Sequence, residues 1–345
     1  MKSAAVVTAI VLVIAAGAVG VWTFLIRPVP RFSAPRIVTI NRGDSFRVIS
    51  RKLERAGVIR SAIALVGWAE FTGEARSVKP GDYEFAGGEG IGDVLRHLVR
   101  GDYLVVIVTI PEGLTIHQIA ERIERAGLAC QADFDFQARR GPLIEALGLL
   151  PLGAEGYLFP ATYRFSPRAS AETIVAQMLE RFYALLTPAV ENRMFELGMD
   201  ARQIVTMASI IEKEAHVPGE RPIVASVFYN RLRLGIPLQS DPTAQYNPGG
   251  VAEPALTAVH RNSQFNTYDF VGLPPGPIAN PGESSIMAAL YPAQTDYLYF
   301  VARGDGTHIF SRTLKEHERA IAMLRKRNSR PHAAASPSKL TPNRL

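Results

Sequence analysis

Cysteine is all but missing: Cys130 is the only one in 345 residues. An intramolecular disulfide framework and a cysteine-based zinc site are therefore excluded. His216, His260, His308 and His317 show no ligand spacing, so neither a metal nor another cofactor is expected. Positive charge is in modest excess, formally +6, which suits nucleic acid, anionic lipid or an acidic polymer. Much of that excess lies in the C-terminal tail. It therefore says little about the folded part, and no nucleic-acid partner is expected.

One long apolar run stands out. Residues 4–26 are uncharged, bounded by Lys2 and Arg27, with Trp22 near one end. That length can span a hydrocarbon core. Its small residues, Ala16-Gly17-Ala18-Val19-Gly20, also suit a cleaved signal peptide. The run stays apolar through residues 21–26, which favours a membrane anchor preceded by a short cytoplasmic end at residues 1–3. Residues 28–35 read as a Pro-rich spacer. Residues 327–345 read as a disordered tail.

An internal echo follows. Val38-Thr39-Ile40, Gly43, Ile49 and Glu54-Arg55-Ala56-Gly57 match Val108-Thr109-Ile110, Gly113, Ile119 and Glu124-Arg125-Ala126-Gly127 at an offset of 70 residues. One supersecondary unit used twice is implied: a strand, a Gly turn and an amphipathic helix closed by Ala-Gly. Residues 61–72 read as a second helix, 80–85 as a turn into a strand and 91–99 as a further helix. The order strand, helix, helix, strand over residues 37–85 resembles a LysM-type module, placed here at residues 37–105. That resemblance implies either a glycan-binding unit or a structural spacer.

The densest meeting of acids with apolar residues is Met207-Ala208-Ser209-Ile210-Ile211-Glu212-Lys213-Glu214. Ile204, Ala208, Ile211 and Ala215 recur at helical spacing and want a core. Pro218 and Gly219 stop the helix. Glu212 and Glu214 fall on opposite flanks of the apolar face, so periodicity does not choose between them. Position favours Glu214: in the last turn the helix dipole raises a carboxyl pKa, the direction a general acid needs. The bland alternative is a solvated Glu-Lys-Glu at a helix end.

Downstream, residues 223–234 read as a helix. The loop Leu238-Gln239-Ser240-Asp241-Pro242-Thr243-Ala244-Gln245-Tyr246 follows it. Asp-Pro breaks regular structure, and polar groups between Leu238 and Tyr246 suit a sugar. Asp241 could equally cap a short helix. Phe265-Asn266-Thr267-Tyr268 and the Pro/Gly-rich run over residues 272–282 come next. That density of Pro and Gly fixes an extended backbone, either a preset cleft wall or a plain rigid loop. A helix at residues 284–290, a strand at 297–301, its partner at 308–310 and a helix at 315–325 close the chain.

These blocks, together with Glu155-Gly156-Tyr157-Leu158-Phe159-Pro160, resemble the YceG-like family of endolytic murein transglycosylases. The resemblance covers roughly residues 37–325. It implies an α+β architecture, with an N-terminal transmembrane helix, a small LysM-like subdomain and a larger catalytic domain over residues 106–326. It further implies an inner-membrane location with the catalytic part in the periplasm. Penicillin-binding proteins or other peptidoglycan synthases would be partners, and the catalytic residue would be a single glutamate that falls on Glu214. Ala161 after Phe-Pro, Phe265 before Asn-Thr-Tyr, and Val259-His260 depart from the family pattern.

The reaction so implied is cleavage of the MurNAc-GlcNAc bond inside nascent glycan strands. It leaves 1,6-anhydro-MurNAc ends and would terminate strand elongation. Glu214 would act as acid and then base. Ser209, Gln239, Asp241, Thr243, Tyr246, Asn266, Thr267, Tyr268, Pro274, Pro275 and Asn280 are candidates for holding substrate. A lysozyme-like hydrolase would need a second carboxylate such as Asp241. A non-catalytic wall-binding scaffold for synthases is the alternative from a different class.

Overall fold

The computed structural model of the chain describes residues 12, 16–17, 19–248, 250, 254, 258–259 and 262–328. The chain divides into two compact units. One comprises residues 1–108 with 126–128 and 163–170; the other comprises 109–125 with 129–162 and 171–345.

In the first unit β1 (Arg36–Ile40) pairs antiparallel with β2 (Gly81–Phe85), Val38 opposite Tyr83. Alternation turns Val38 and Ile40 inward. Helix α1 (Phe46–Arg55) starts at Ser45, whose hydroxyl accepts the Val48 N–H, and it buries Ile49 and Leu53. Helix α2 (Ala62–Thr72) starts in the same way at Ser61 and ends at Gly73 in the left-handed region. Helix α3 (Ile91–Arg100) buries Ile91, Val94, Leu95 and Leu98, one helical face. Leu53, Leu65, Tyr83, Phe85, Val94, Leu95 and Leu98 are fully enclosed. Buried Asp82 accepts the Thr39 hydroxyl at 2.5 Å and the Ser166 hydroxyl, so this polar group is not left unpaired in the core.

Two expectations are corrected here. The strand-helix-helix-strand order is present, but it is not a closed LysM module. Helix α3 supplies a third side of the core, and residues 163–170 return to the same unit. The anchor over residues 4–26 is also not supported. Among the described residues no helix is long and apolar enough to cross a membrane. Part of that run, residues 4–11, 13–15 and 18, lies outside the described residues, as do residues 1–3 before it. The helical end of the run packs on protein: Leu25 and Ile26 lie against the unit's core, and the Arg60 guanidinium sits 4.7 Å over the Phe24 ring. The inner-membrane and periplasmic location and the membrane as a partner fall with that anchor.

Strands β3 (Val106–Ile110) and β4 (Ala161–Phe165) form a second two-stranded sheet. The second unit is mostly helical, with α4 (Ile116–Arg125), α5 (Gln131–Arg140), α6 (Pro142–Ala146), α7 (Ala171–Tyr183) and α8 (Pro188–Leu197). Helices α9 (Ala201–Glu214), α10 (Arg221–Arg233), α11 (Asp241–Gln245) and α12 (Glu283–Leu290) follow. An antiparallel hairpin of β5 (Tyr299–Ala302) and β6 (His308–Ser311) and helix α13 (Leu314–Asn328) close it. The hairpin and the last helix lie where the sequence places them. Helix α13 runs further, its final turn carrying Arg325, Lys326 and Arg327 toward the negative end of the helix dipole. The tail beyond Asn328 lies outside the described residues.

Helix α9 organises this unit. Asp200 and Gln203 form a reciprocal capping box at its start. Every residue from Ile204 to Ile211 is buried, more than the single apolar face that the periodicity predicts, because α10, α11 and α12 all pack on it. Burying each of its Ile and Met side chains stabilises by about 1.5–3 kcal/mol. The Pro-rich run at residues 272–282 is pinned to it: Ser209 Oγ accepts the Ile278 N–H at 3.0 Å. Gly156 has φ +88°, and a Cβ there would lie 2.5 Å from Pro277 and 2.7 Å from Val205. Only glycine fits that crossing.

Candidate active site

The two acids of α9 part company at its end. Glu212 Oε2 accepts the Gly282 N–H at 3.1 Å and the Ser285 hydroxyl at 2.7 Å, at the N-terminus of α12. Its Oε1 accepts Arg221 Nη2 at 3.2 Å. A carboxylate at a helix N-terminus beside a guanidinium is satisfied where it stands. Glu214 instead accepts a single hydrogen bond, from Ser240 Oγ at 2.6 Å to Oε1. Oε2 has no donor among the described residues and faces a cavity of about 460 Å³. The structure thus separates two acids that periodicity leaves equivalent.

Burial pushes the Glu214 carboxyl up to about 7; the Asp241 charge adds to this and the Ser240 hydrogen bond opposes it. Desolvation, rather than the helix dipole invoked from sequence, is the dominant cause. Arg231, Leu238, Gln239, Asp241, Tyr268, Tyr299 and His317 line the cavity with Glu214. Tyr268 Oη donates to Asp241 Oδ1 at 2.6 Å. Gln239 holds φ +53°, an uncommon conformation for a side chain of this size. It is fixed by its N–H to Thr267 O at 3.1 Å and by Arg231 Nη1 to its Oε1 at 3.1 Å. A larger cavity, about 690 Å³ beside α5, has its acids committed: Glu124 accepts the Gln131 N–H, and Asp135 accepts Arg139 Nε.

Of the residues singled out from sequence, Glu214, Gln239, Asp241 and Tyr268 come together around the cavity. The others do not line it. Thr243 and Thr267 are fully buried and bonded to each other at 2.7 Å, and Thr267 Oγ1 accepts the Ser240 N–H at 3.1 Å. This pair therefore sets the loop that delivers Ser240 to Glu214. Asn266 Nδ2 donates to Val259 O and Asp269 Oδ2. Ser209 holds Ile278. Asn280 and Tyr246 bond Glu155, a second buried acid. Pro274 is buried and Pro275 exposed, and neither lines the cavity. Asp241 opens α11 as its first residue, with Ser240 at the capping position.

Arg231, Tyr299 and His317 also line the cavity, though sequence reasoning does not select them. Arg231 reads there as one residue of a helix and His317 only as an unlikely metal ligand. The signal that could have flagged Arg231 is a charged residue among Val224, Val227 and Phe228 on a buried helix.

The fold and site define a helical enzyme-like unit around one cavity-facing carboxyl. The YceG-like family model matches residues 38–323, and the chain belongs to the YceG-like family. It is 33% identical over 319 residues to the endolytic murein transglycosylase of Bacillus subtilis, covering 86% of this chain and 87% of that protein. It is 29% identical over 318 residues to the protein of the same name from Streptococcus pneumoniae strain D39, covering 83% of this chain and 57% of the relative. The crystal structure of a yceG-like protein from Listeria monocytogenes aligns with TM-score 0.57 and 34% identity, over 83% of this chain and 99% of that one. These relatives support a lytic-transglycosylase activity, and hence a lyase-like enzyme, in general terms.

Proposed function

We propose that the chain cuts murein glycan internally at MurNAc-GlcNAc bonds, with Glu214 as the sole acid-base group. The observation that carries this reading is a carboxyl that burial raises to about 7, that lines the cavity and that accepts one hydrogen bond, from Ser240, among the described residues. A group titrating near neutrality can give up a proton and take one back. Protonated Glu214 donates to the GlcNAc O4 as the C1–O4 bond breaks. The muramyl O6 then bonds C1, and its proton passes to the Glu214 carboxylate. Charge and protons balance, the product ends in a 1,6-anhydro ring, and no water is consumed. A hydrolase would use a second carboxylate, for which Asp241, lining the same cavity and accepting the Tyr268 hydroxyl, is the candidate.

Product analysis by mass spectrometry tests the reading, with uncrosslinked murein glycan as substrate and Glu214→Gln as control. Internal fragments with 1,6-anhydro-muramyl ends from the unaltered chain, and none from Glu214→Gln, are expected. Reducing muramyl ends would transfer the reading to hydrolysis. Binding without cleavage would leave a scaffold.

A further inference from the structure

The cavity that holds Glu214 also contains an arginine without a counter-ion. Arg231 is only 7% exposed. Its Nε donates to Leu298 O at 2.7 Å, and Nη1 donates to Pro237 O and Leu238 O at 3.0 Å and to Gln239 Oε1 at 3.1 Å. All four acceptors are neutral. Nη2 has no acceptor, and no carboxylate pairs with the guanidinium, among the described residues. Desolvating a cation in this way is costly unless something negative or strongly polar meets it. The Tyr299 ring lies 5.0 Å from the guanidinium carbon and offers it a π face.

A second unsatisfied group lies in the same wall. His317 stacks on Tyr299, with centroids 5.3 Å apart and planes 23° apart. Its Nδ1 is buried without a hydrogen-bond partner. Burial and the neighbouring Arg231 charge both lower its pKa, so a second cation beside Arg231 is disfavoured. The cavity wall therefore carries a cation that lacks an anion among the described residues, with the Tyr299 ring and the His317 imidazole stacked beside it.

Resting on the proposed glycan-cleaving reading, we infer that Arg231 Nη2 receives the acyl oxygen of the muramyl 3-O-lactyl group. In murein glycan the lactyl group is the feature that sets the muramyl residue apart from the glucosamine residue. A donor reserved for it fixes which of the two alternating linkages reaches Glu214. The lactyl oxygen is an amide carbonyl where a stem peptide is attached and a carboxylate where it is not, and the charged form makes the stronger bond.

The test is binding to the full-length Glu214→Gln chain, measured by calorimetry. The probes are GlcNAc-MurNAc with a free lactyl carboxylate, the same disaccharide with its lactyl group amidated by alanine, and chitobiose, which has no lactyl group. Affinity should fall in that order, the first exceeding the last by about tenfold or more, with the gap narrowing as salt rises. Arg231→Gln in the same background should erase the gap, whereas Arg231→Lys keeps part of it as a point charge. His317→Phe preserves the ring stack beside Tyr299 and should leave the gap in place. Chitobiose binding as tightly as the carboxylate probe would overturn the inference. So would a gap that survives Arg231→Gln, or no binding of any probe.

Should Arg231→Gln fail to fold, judged by near-UV circular dichroism, the probe order with Arg231→Lys and His317→Phe decides the matter. Cleavage by the unaltered chain is read separately. Cleavage without lactyl preference removes this subsite and leaves the activity. Lactyl preference without cleavage leaves the subsite and removes the activity.

Discussion

Glu155 and Glu214 are both taken up to about 7 by burial, yet their surroundings differ in kind. Glu155 is 2% exposed and accepts four hydrogen bonds: two from the Ile116 N–H at 3.0 and 3.2 Å, and one each from Tyr246 Oη and Asn280 Nδ2 at 2.9 Å. Through Asn280 it is tied to Leu114 and Leu158, so it joins three separate stretches of chain. Glu214 accepts one bond and keeps an oxygen toward the cavity. A raised pKa alone therefore does not mark a catalytic acid. Unused acceptor capacity facing a space that substrate can enter is what distinguishes Glu214.

The largest expected effect is on catalysis. Glu214→Gln should lower the rate of glycan cleavage by about 10²–10⁴-fold with no loss of folding, whereas the same change at Glu155 should not act through the chemical step. Next is stability. Glu155→Ala strands three donors in the interior and should cost about 2–4 kcal/mol, read as a lower urea midpoint at constant m-value. An unchanged midpoint would remove the distinction between the two acids.

A smaller effect concerns pH. Both carboxyls rise from 4.5 to about 7 on folding. Between those values the folded chain holds protons that the unfolded chain has released, so stability falls as pH rises through that window. Glu214→Gln should flatten this slope and gain about 1–2 kcal/mol at pH 8. The activity of the unaltered chain, which needs protonated Glu214, should decline above about pH 7. The smallest effect is Ser240→Ala. Losing the bond that lowers the Glu214 pKa should move the alkaline limb of the activity profile upward by about one pH unit.

The repeated unit shows how far sequence carries. Both copies form a strand, a glycine turn with φ +91° at Gly43 and +77° at Gly113, and a helix closed by Gly57 or Gly127 in the left-handed region. That much was legible, because it rests on local periodicity and glycine. What each copy does was not. In the first, the turn is satisfied locally: Asp44 accepts the Asn41 N–H at 2.8 Å and Lys52 Nζ at 2.5 Å. In the second, the Gly113 N–H donates to Asn280 O and the Ile116 N–H to Glu155, partners distant in sequence. A repeat in sequence thus became one self-contained turn and one part of the scaffold behind the site.

The sequence by itself determined the repeated strand-turn-helix unit, the closing hairpin and helix, the family and the segment in which the acid lies, because these follow from spacing and from motifs contiguous along the chain; the helices over residues 131–197 and the strand at 161–165 were not read from it. It could not decide whether the apolar residues near the N-terminus meet lipid or protein. In the structure Leu25 and Ile26 pack on a core. Position in the last turn and the family resemblance favoured Glu214, but only the tertiary structure shows Glu212 satisfied by Arg221, Gly282 and Ser285, places Ser209, Thr243, Thr267 and Asn280 in the interior, and brings Arg231 and His317 to the cavity. The physical reason is common to all of these. Whether a polar group is spent or available depends on which distant donors and acceptors folding brings to it, and spacing along the chain carries no record of them.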